Sequence, residues 1–149
     1  RVIPIVNPLN LNIKAVYENK LPAGGLFSTV CDLLKLGQAL LNGGCANEYR
    51  LISPATHRAM TTPQTTGIEP FDTEDFNGME TGLGWLLPVN SHSIIYRSIY
   101  GHHGAGNSMM WIYPEEELVF VFLSNYTGPA IGNMQWEYIL NVFSSCFDA

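Results

Sequence analysis

The chain has 149 residues, of which 46% are hydrophobic and 13% charged, so it is long and apolar enough for one domain with a hydrophobic core. Its net charge of −6, with seven Lys and Arg residues in total, argues against a nucleic-acid-binding surface, which needs clustered basic side chains. No apolar run reaches the length of about 18 residues that a membrane-spanning helix requires.

The cysteines and the first residue bear on what kind of chain this is. Cys31, Cys45 and Cys146 are an odd number without a CxxC pair, which fits neither a disulfide framework nor a zinc knuckle. A single disulfide stays open, but we expect free, buried thiols. Because the chain begins with Arg1 and has no signal-like segment, we expect it to be a piece of a longer protein.

The first half of the chain predicts an irregular arm followed by a helix. Residues 1–20 are short apolar runs broken by prolines and asparagines, and we expect this arm to pack against an upstream part of the protein. Thr29 and Asp32 resemble a capping box, and Gly43-Gly44 is a typical helix end, so a helix is predicted over 29–42. One apolar stripe supports it: Val30, Leu33, Leu34, Gly37, Leu40 and Leu41.

A shorter helix and a long loop come next. Ser53-Pro54 is a favourable helix start, since proline at the first helical position loses no hydrogen bond. This helix should stop near Thr61, before Pro63. Residues 63–81 are polar, acidic and rich in turn formers, and we expect a long surface loop.

The second half of the chain predicts consecutive strands and a final helix. Strands are predicted over 82–89, 93–101, 108–113 and 118–125, with a turn at 114–117, and the last strand is apolar enough to be buried on both faces. A helix should begin just after Pro129, with an apolar stripe of Ile131, Met134, Tyr138, Ile139, Val142 and Phe143. Helices, then strands, then a helix indicate an α+β fold, in which helices flank an antiparallel sheet.

Four segments occur in an order that is typical of one group of hydrolases. They are PAGGLFSTVCDLLKLGQALLNGG, LISPATHRAMTTPQT, GLGW and GHHGAGNSMMWIYPEEELVFVFLSN. Together they resemble the serine beta-lactamase and penicillin-binding-protein-like family, above all class C beta-lactamases and the related esterases and D-amino-acid peptidases. The resemblance covers residues 21–143 and implies that residues 21–149 form the C-terminal portion of a beta-lactamase/transpeptidase-like domain.

The resemblance also implies a set of site residues. In this family a strand along the active site carries Lys-Thr-Gly, or His-x-Gly in some esterase and peptidase branches. The triplet here is His102-His103-Gly104, so His102 takes the lysine position and His103 the threonine position. The backbone N–H of Ala105 would supply half of the oxyanion hole, and loss of one such donor costs on the order of 3 kcal/mol. Asn107 is a further candidate for substrate contact, although Asn107-Ser108 could equally close the turn.

The chain departs from the family pattern at the nucleophile. The family's Ser-x-x-Lys motif is absent, because the residues three before Lys14, Lys20 and Lys35 are Leu11, Tyr17 and Asp32. Tyr17-Glu18-Asn19 looks like the family's Tyr-x-Asn but lies directly before the predicted helix, so we interpret it as a coincidence. The nucleophile must therefore come from upstream or from a second chain, and this chain alone should not perform the acylation.

Several interpretations of single residues stay open. The two histidines could pack, line a groove or bind metal. Neighbours on a strand point to opposite faces, and no carboxylate is near in sequence, so metal is the weakest choice and we predict no metal or other cofactor.

An imidazole is mostly neutral at pH 7, which favours esters or peptides over beta-lactams. Trp85 is expected to pack under the sheet, His57 to be solvated, and Met109, Met110 and Trp111 to fill the core.

The sequence thus predicts the C-terminal part of a serine hydrolase acting on an ester, a D-peptide or another amide, or a beta-lactam. The alternative is a non-catalytic beta-lactamase-like domain that binds peptides or cell-wall fragments. The expected partners of this chain are a small-molecule or peptide substrate and an upstream part of the same protein, or a second chain, that carries Ser-x-x-Lys and Tyr-x-Asn. No nucleic acid and no membrane span are expected. The resemblance alone favours a periplasmic or secreted location.

Overall fold

The computed structural model describes Glu18 and residues 26–68, 79–89, 98–104, 108–124 and 135–147. Within these ranges there are three α-helices, which are α1 Val30–Leu41, α2 Pro54–Thr61 and α3 Gln135–Ser144. The same ranges hold seven short strands, which are β1 Cys45–Ala46, β2 Tyr49–Arg50, β3 Glu80–Thr81, β4 Leu86–Leu87, β5 Tyr100–His103, β6 Met109–Tyr113 and β7 Leu118–Phe122.

Helix α1 begins and ends where its local sequence signals predict. Thr29 is the N-cap, and its hydroxyl oxygen accepts the backbone N–H of Asp32 at 3.2 Å while its hydroxyl donates to the Asp32 carboxylate at 3.1 Å. The helix is followed by Gly43 and Gly44 with φ of 65° and 88°, a left-handed conformation that favours glycine. Helix α2 likewise starts at its predicted cap, Ser53, whose hydroxyl oxygen accepts the Thr56 N–H. Both helix predictions are confirmed.

The apolar stripe of α1 is only partly confirmed. Gly37 and Leu40 are buried as predicted, but Val30 and Leu34 are 40% and 39% exposed, and Ala39, which lies outside the stripe, is buried. The reason is that α1 packs on the sheet through its C-terminal half. There, a Cβ on Gly37 would overlap Cγ1 of Val119, so the glycine allows the helix axis to approach β7 closely.

The main sheet is five-stranded and antiparallel throughout, in the order β3-β4-β5-β6-β7. Side chains alternate between its faces along β6. Met109, Trp111 and Tyr113 pack with α3, whereas Met110 and Ile112 pack with Leu40 of α1. Helices therefore flank both faces of an antiparallel sheet. This confirms the predicted α+β class, and the predicted core positions of Met109, Met110 and Trp111 as well.

Two strand predictions were wrong in their extent. The predicted strand 82–89 is a strand only at Leu86–Leu87, because residues 82–85 form the turn that precedes it, with the Gly82 N–H donating to the Trp85 carbonyl and φ of +83° at Gly84. Glu80–Thr81, assigned to the loop 63–81, pairs with β4 instead. The small β1–β2 hairpin was not predicted. The predicted strand 93–101 is described from residue 98 onward, where β5 begins at Tyr100 and runs on to His103.

The predicted stripe of the final helix was also wrong in part. Tyr138 and Val142 are 60% and 69% exposed, whereas Trp136 and Leu140 are buried and Phe143 packs against the same cluster. Ile139 and Phe143, two members of the predicted stripe, do pack against that cluster, so the stripe is confirmed at these two residues and wrong at Tyr138 and Val142. Ile131 and Met134 lie outside the described residues.

Strand β7 forms one end of the described sheet. Val119 faces α1 and Phe120 faces α3, so both faces are covered as predicted, yet every residue of the strand is only half-buried. Leu26 and Phe27, just before α1, are 92% and 65% exposed.

The three cysteines are free, as expected, but Cys31 and Cys146 are exposed rather than buried. Among the described residues, no helix is long and apolar enough to cross a membrane.

Candidate functional site

Strand β5 holds the histidine pair between two neighbours of the sheet. It pairs with β6 from Tyr100↔Ile112 to His103↔Met109 and with β4 through Gly101↔Leu86. Gly101 lies under the indole of Trp111, where an added Cβ would overlap the Met110 carbonyl oxygen and come within 2.6 Å of Trp111 Cδ2. This close approach explains a glycine in the middle of a strand. It fixes the backbone immediately before His102.

His102 is exposed and presents one ring nitrogen outward. Its Nδ1 lies 2.6 Å from the carbonyl oxygen of His103. Because a carbonyl oxygen can only accept, Nδ1 donates in this contact, which leaves Nε2 as the ring nitrogen that can meet a ligand.

His103 points to the opposite face of the sheet and is half-buried. Its ring stacks on Trp136 of α3, with 4.9 Å between ring centroids and an interplanar angle of 11°. Trp136 in turn lies on Trp111, 5.7 Å away at 14°. His103 is thus one layer of an aromatic stack that joins β5 to α3. Among the described residues, no group of three or more His, Cys, Asp or Glu side chains is placed to hold a metal ion.

Gly104 is the last residue of the triplet and is exposed. Its N–H donates to the Ser108 carbonyl at 2.8 Å, which closes the loop between β5 and β6. The nearest atom to an added Cβ is the Ser108 carbonyl oxygen, 3.9 Å away, so nothing in the described fold requires glycine here by contact. Ala105 and Asn107 lie outside the described residues, and their roles stay predictions.

A cluster of hydrogen-bonded side chains, which the sequence did not reveal, contacts β5 on the sheet face opposite to His103. His57, predicted to be solvated, is half-buried, and its Nε2 donates to the Leu40 carbonyl at 2.9 Å and lies 3.2 Å from the Tyr100 hydroxyl. Tyr100 donates to the same carbonyl at 3.1 Å. These residues lie 17 and 60 positions from Leu40 in the chain, so no sequence spacing could have indicated the cluster. Burial raises the pKa of Tyr100 to about 12.

Trp85 completes the packing around Tyr100. The two rings meet edge to face with 6.1 Å between centroids, and Trp85 packs against the cluster that contains Leu87 and Met110. Its predicted packing under the sheet is confirmed. His57, Trp85 and Tyr100 thus tie β5 to α1, α2 and β4, and His102 follows two residues after Tyr100 on the same face of the strand.

Comparison with known proteins finds a matching family model and two similar proteins. The family model described as Beta-lactamase matches residues 3–143. A protein of Escherichia coli O157:H7, provisionally named a D-alanyl-D-alanine carboxypeptidase, is 29% identical over 107 residues, which cover 68% of this chain and 22% of that relative. The crystal structure of a novel penicillin-binding protein homologue from Caulobacter crescentus has 22% identity and a TM-score of 0.47, covering 62% of this chain and 24% of that one. The chain spans about a quarter of the length of either protein. Since the family model matches most of its residues, this chain belongs to the beta-lactamase family.

Proposed function

We propose that this chain forms one wall of the active site of a serine hydrolase. The observation that carries the proposal is an exposed His102 and an exposed Gly104 at the end of a firmly held central strand, in a member of the beta-lactamase family. His102, His103 and Gly104 would form the substrate-binding triplet, and Asn107 would add a contact from the following loop. The Ala105 N–H would be one donor of the oxyanion hole.

The chemistry requires each of these parts. In acyl transfer, an N–H aimed at the developing oxyanion stabilises the tetrahedral intermediate without reorganising at the moment of reaction. Such a donor needs a rigid support, and β5 has one in its pairing with β6 and in the Tyr100 hydrogen bond to Leu40. A glycine has no side chain, so an exposed Gly104 would let a substrate backbone approach the strand.

The rest of the catalytic machinery would come from an upstream part of the same protein or from a second chain. That part would carry Ser-x-x-Lys and Tyr-x-Asn, with residues 1–20 belonging to it and residues 21–149 forming the C-terminal portion of the domain. Support comes from the position of β7 at the end of the described sheet and from the exposed Leu26 and Phe27. An upstream segment that covers these apolar side chains would stabilise both parts.

The substrate is proposed to be an ester or a D-peptide rather than a beta-lactam. A lysine ammonium binds a substrate carboxylate by charge, whereas an imidazole that donates through Nδ1 would offer Nε2 as an acceptor. That acceptor suits a substrate hydroxyl or amide N–H. The name of the Escherichia coli relative, which points to D-alanyl-D-alanine peptides, is consistent with the D-peptide choice.

A non-catalytic peptide-binding domain is the second candidate. The two candidates differ in what the full-length reading frame contains. An upstream Ser-x-x-Lys supports the hydrolase, and a full-length sequence without it supports the binding domain.

The experiment uses the full-length protein with a nitrophenyl ester, a D-alanyl-D-alanine peptide and a chromogenic cephalosporin as substrates. We expect turnover of the ester or the peptide, and a loss of turnover in Gly104→Val without loss of folding. His102→Lys, which restores the family's usual residue, should shift the ratio of kcat/KM towards the cephalosporin. A folded protein that turns over none of the three substrates would contradict the proposed function. Full activity in Gly104→Val would contradict the assignment of this strand.

A further inference from the structure

Four rings lie in a row between the core of the sheet and the histidine pair. Trp136 stacks on Trp111 on one side and on His103 on the other, with 5.7 Å and 4.9 Å between ring centroids. The His102 ring follows, 5.9 Å from the His103 ring and tilted by 34°. Trp111 and Trp136 are 0% and 4% exposed, whereas His102 is exposed. The row therefore runs from the buried core to the side chain that the proposed site uses.

The end of β5 that carries the histidines is held less firmly by the sheet than its start. Within the described residues, β4 pairs with β5 through Leu86↔Gly101, so beyond Gly101 the strand is paired with β6 alone. The ring stack on Trp136 joins this end to α3, because Trp136 lies in the core cluster. Its centroid distance is within the range that offset-stacked aromatic pairs prefer. The stack thus adds a second support, from outside the sheet, at His103.

His103 also contacts the neighbouring imidazole through its backbone. The Nδ1–H of His102 donates to the His103 carbonyl at 2.6 Å, and this hydrogen bond sets which ring nitrogen can meet a ligand. The acceptor belongs to the residue whose ring is stacked on Trp136. A shift of His103 would therefore move the acceptor and turn the His102 ring with it.

The same contacts argue against a substrate contact made by the His103 ring. One face of the ring is covered by Trp136, and the side chain is half-buried against α3. Another flat ring at this position would keep both the stack and the backbone carbonyl. An aliphatic side chain would keep the carbonyl and lose the stack. Substitution can therefore separate a positioning role from a role of the imidazole nitrogens.

We infer that His103 is a positioning residue, which holds the end of β5 against Trp136 of α3 and thereby orients His102 towards a ligand. The inference rests on the proposed function, because the orientation of His102 affects turnover only if substrate binds beside it. Groups of a binding or catalytic site must be held within roughly 0.5 Å of the productive geometry. Loss of the stack should therefore lower kcat/KM, and a flat ring without nitrogens should restore it.

The test uses the full-length protein with the ester and D-peptide substrates and the variants His103→Leu and His103→Phe. Leucine lacks a flat ring, whereas phenylalanine keeps the ring and lacks both nitrogens. Tyr138→Leu is the matched control, since it removes a ring from α3 that is 60% exposed. For His103→Leu we expect kcat/KM to fall about tenfold. His103→Phe should recover most of this loss, and Tyr138→Leu should match wild type.

Amide hydrogen exchange gives a readout that does not depend on activity. The Gly104 N–H, which follows β5 directly, donates to the Ser108 carbonyl and reports on opening of the strand end. In His103→Leu this amide should exchange faster, on the order of tenfold, than in wild type, His103→Phe or Tyr138→Leu. Equal exchange in His103→Leu and wild type would overturn the support by the stack.

The activity outcomes separate the positioning role from its alternatives. If wild type is active and His103→Phe loses as much kcat/KM as His103→Leu, the imidazole nitrogens take part and the positioning role is overturned. A fully active His103→Leu would overturn it as well. An inactive wild type would overturn the proposed function, while the exchange comparison would still decide whether the stack holds β5. Melting curves of each variant separate these outcomes from a loss of folded protein.

Discussion

The two glycines on either side of the histidine pair should respond in opposite ways to the same substitution. In Gly101→Ala the new methyl group would overlap the Met110 carbonyl oxygen and lie within 2.6 Å of the Trp111 ring. Both neighbours are buried in the sheet, and Trp111 has no exposed surface, so neither can move away without losing packing contacts. In Gly104→Ala the nearest atom to the same methyl group, among the described residues, would be the Ser108 carbonyl oxygen at 3.9 Å.

The magnitudes follow from this difference in space. Overpacking a well-packed core costs about 1–3 kcal/mol, and an overlap with buried backbone belongs at the upper end, so we expect Gly101→Ala to lose about 3 kcal/mol of unfolding free energy. The melting temperature should fall by about 6 °C or more. Gly104→Ala should stay within about 0.5 kcal/mol of wild type, as do most exposed substitutions.

The assay is denaturant and thermal unfolding of the full-length protein, followed by circular dichroism, with the two variants compared side by side. Hydrolysis should show the reverse order, because a methyl group at residue 104 would keep a substrate backbone away from the strand in the proposed site. Equal melting temperatures for the two variants would refute the packing argument. A fully active Gly104→Ala together with a fully active Gly104→Val would refute the placement of substrate beside this residue.

Three further outcomes are expected. The isolated 149-residue chain should not hydrolyse nitrophenyl esters or a chromogenic cephalosporin above a heat-treated control, since it lacks Ser-x-x-Lys, and clear turnover would contradict this. Tyr100→Phe should cost about 1 kcal/mol in denaturant unfolding. The pKa of Tyr100 in the folded protein is about 12, above its ordinary value of 10.0. Its contribution to stability is therefore complete below pH 10 and is lost as the pH rises towards 12. Over that pH window, wild type should lose stability more steeply than Tyr100→Phe. Trp136→Ala should cost about 3–5 kcal/mol, because it removes the ring stacked between His103 and Trp111, and a loss below about 1 kcal/mol would contradict the stack.

Local signals in the sequence were sufficient for the ends of α1 and α2, the turn at 114–117 and the family. Thr29 with Asp32, Ser53 with Pro54, and the glycines at 43 and 44 act on neighbours within one helical turn, so their effect can be read from a few adjacent residues. The GHHGAG segment and the strands around it likewise carried the resemblance and the candidate residues. Alternation along a strand also predicted that His102 and His103 face opposite sides of the sheet.

Packing between distant segments decided the rest. The sheet-facing side of α3 depends on the stack of Trp136 on Trp111, 25 positions earlier, and sequence periodicity alone did not distinguish that side from one through Tyr138 and Val142. The hydrogen bonds of His57 to Leu40 and Tyr100 join three elements that no local rule connects. Propensity and capping energies act over three or four residues, whereas such contacts exist only once the chain has folded, and for that reason the sequence predicted the triplet itself but only the tertiary structure decided what holds it in place.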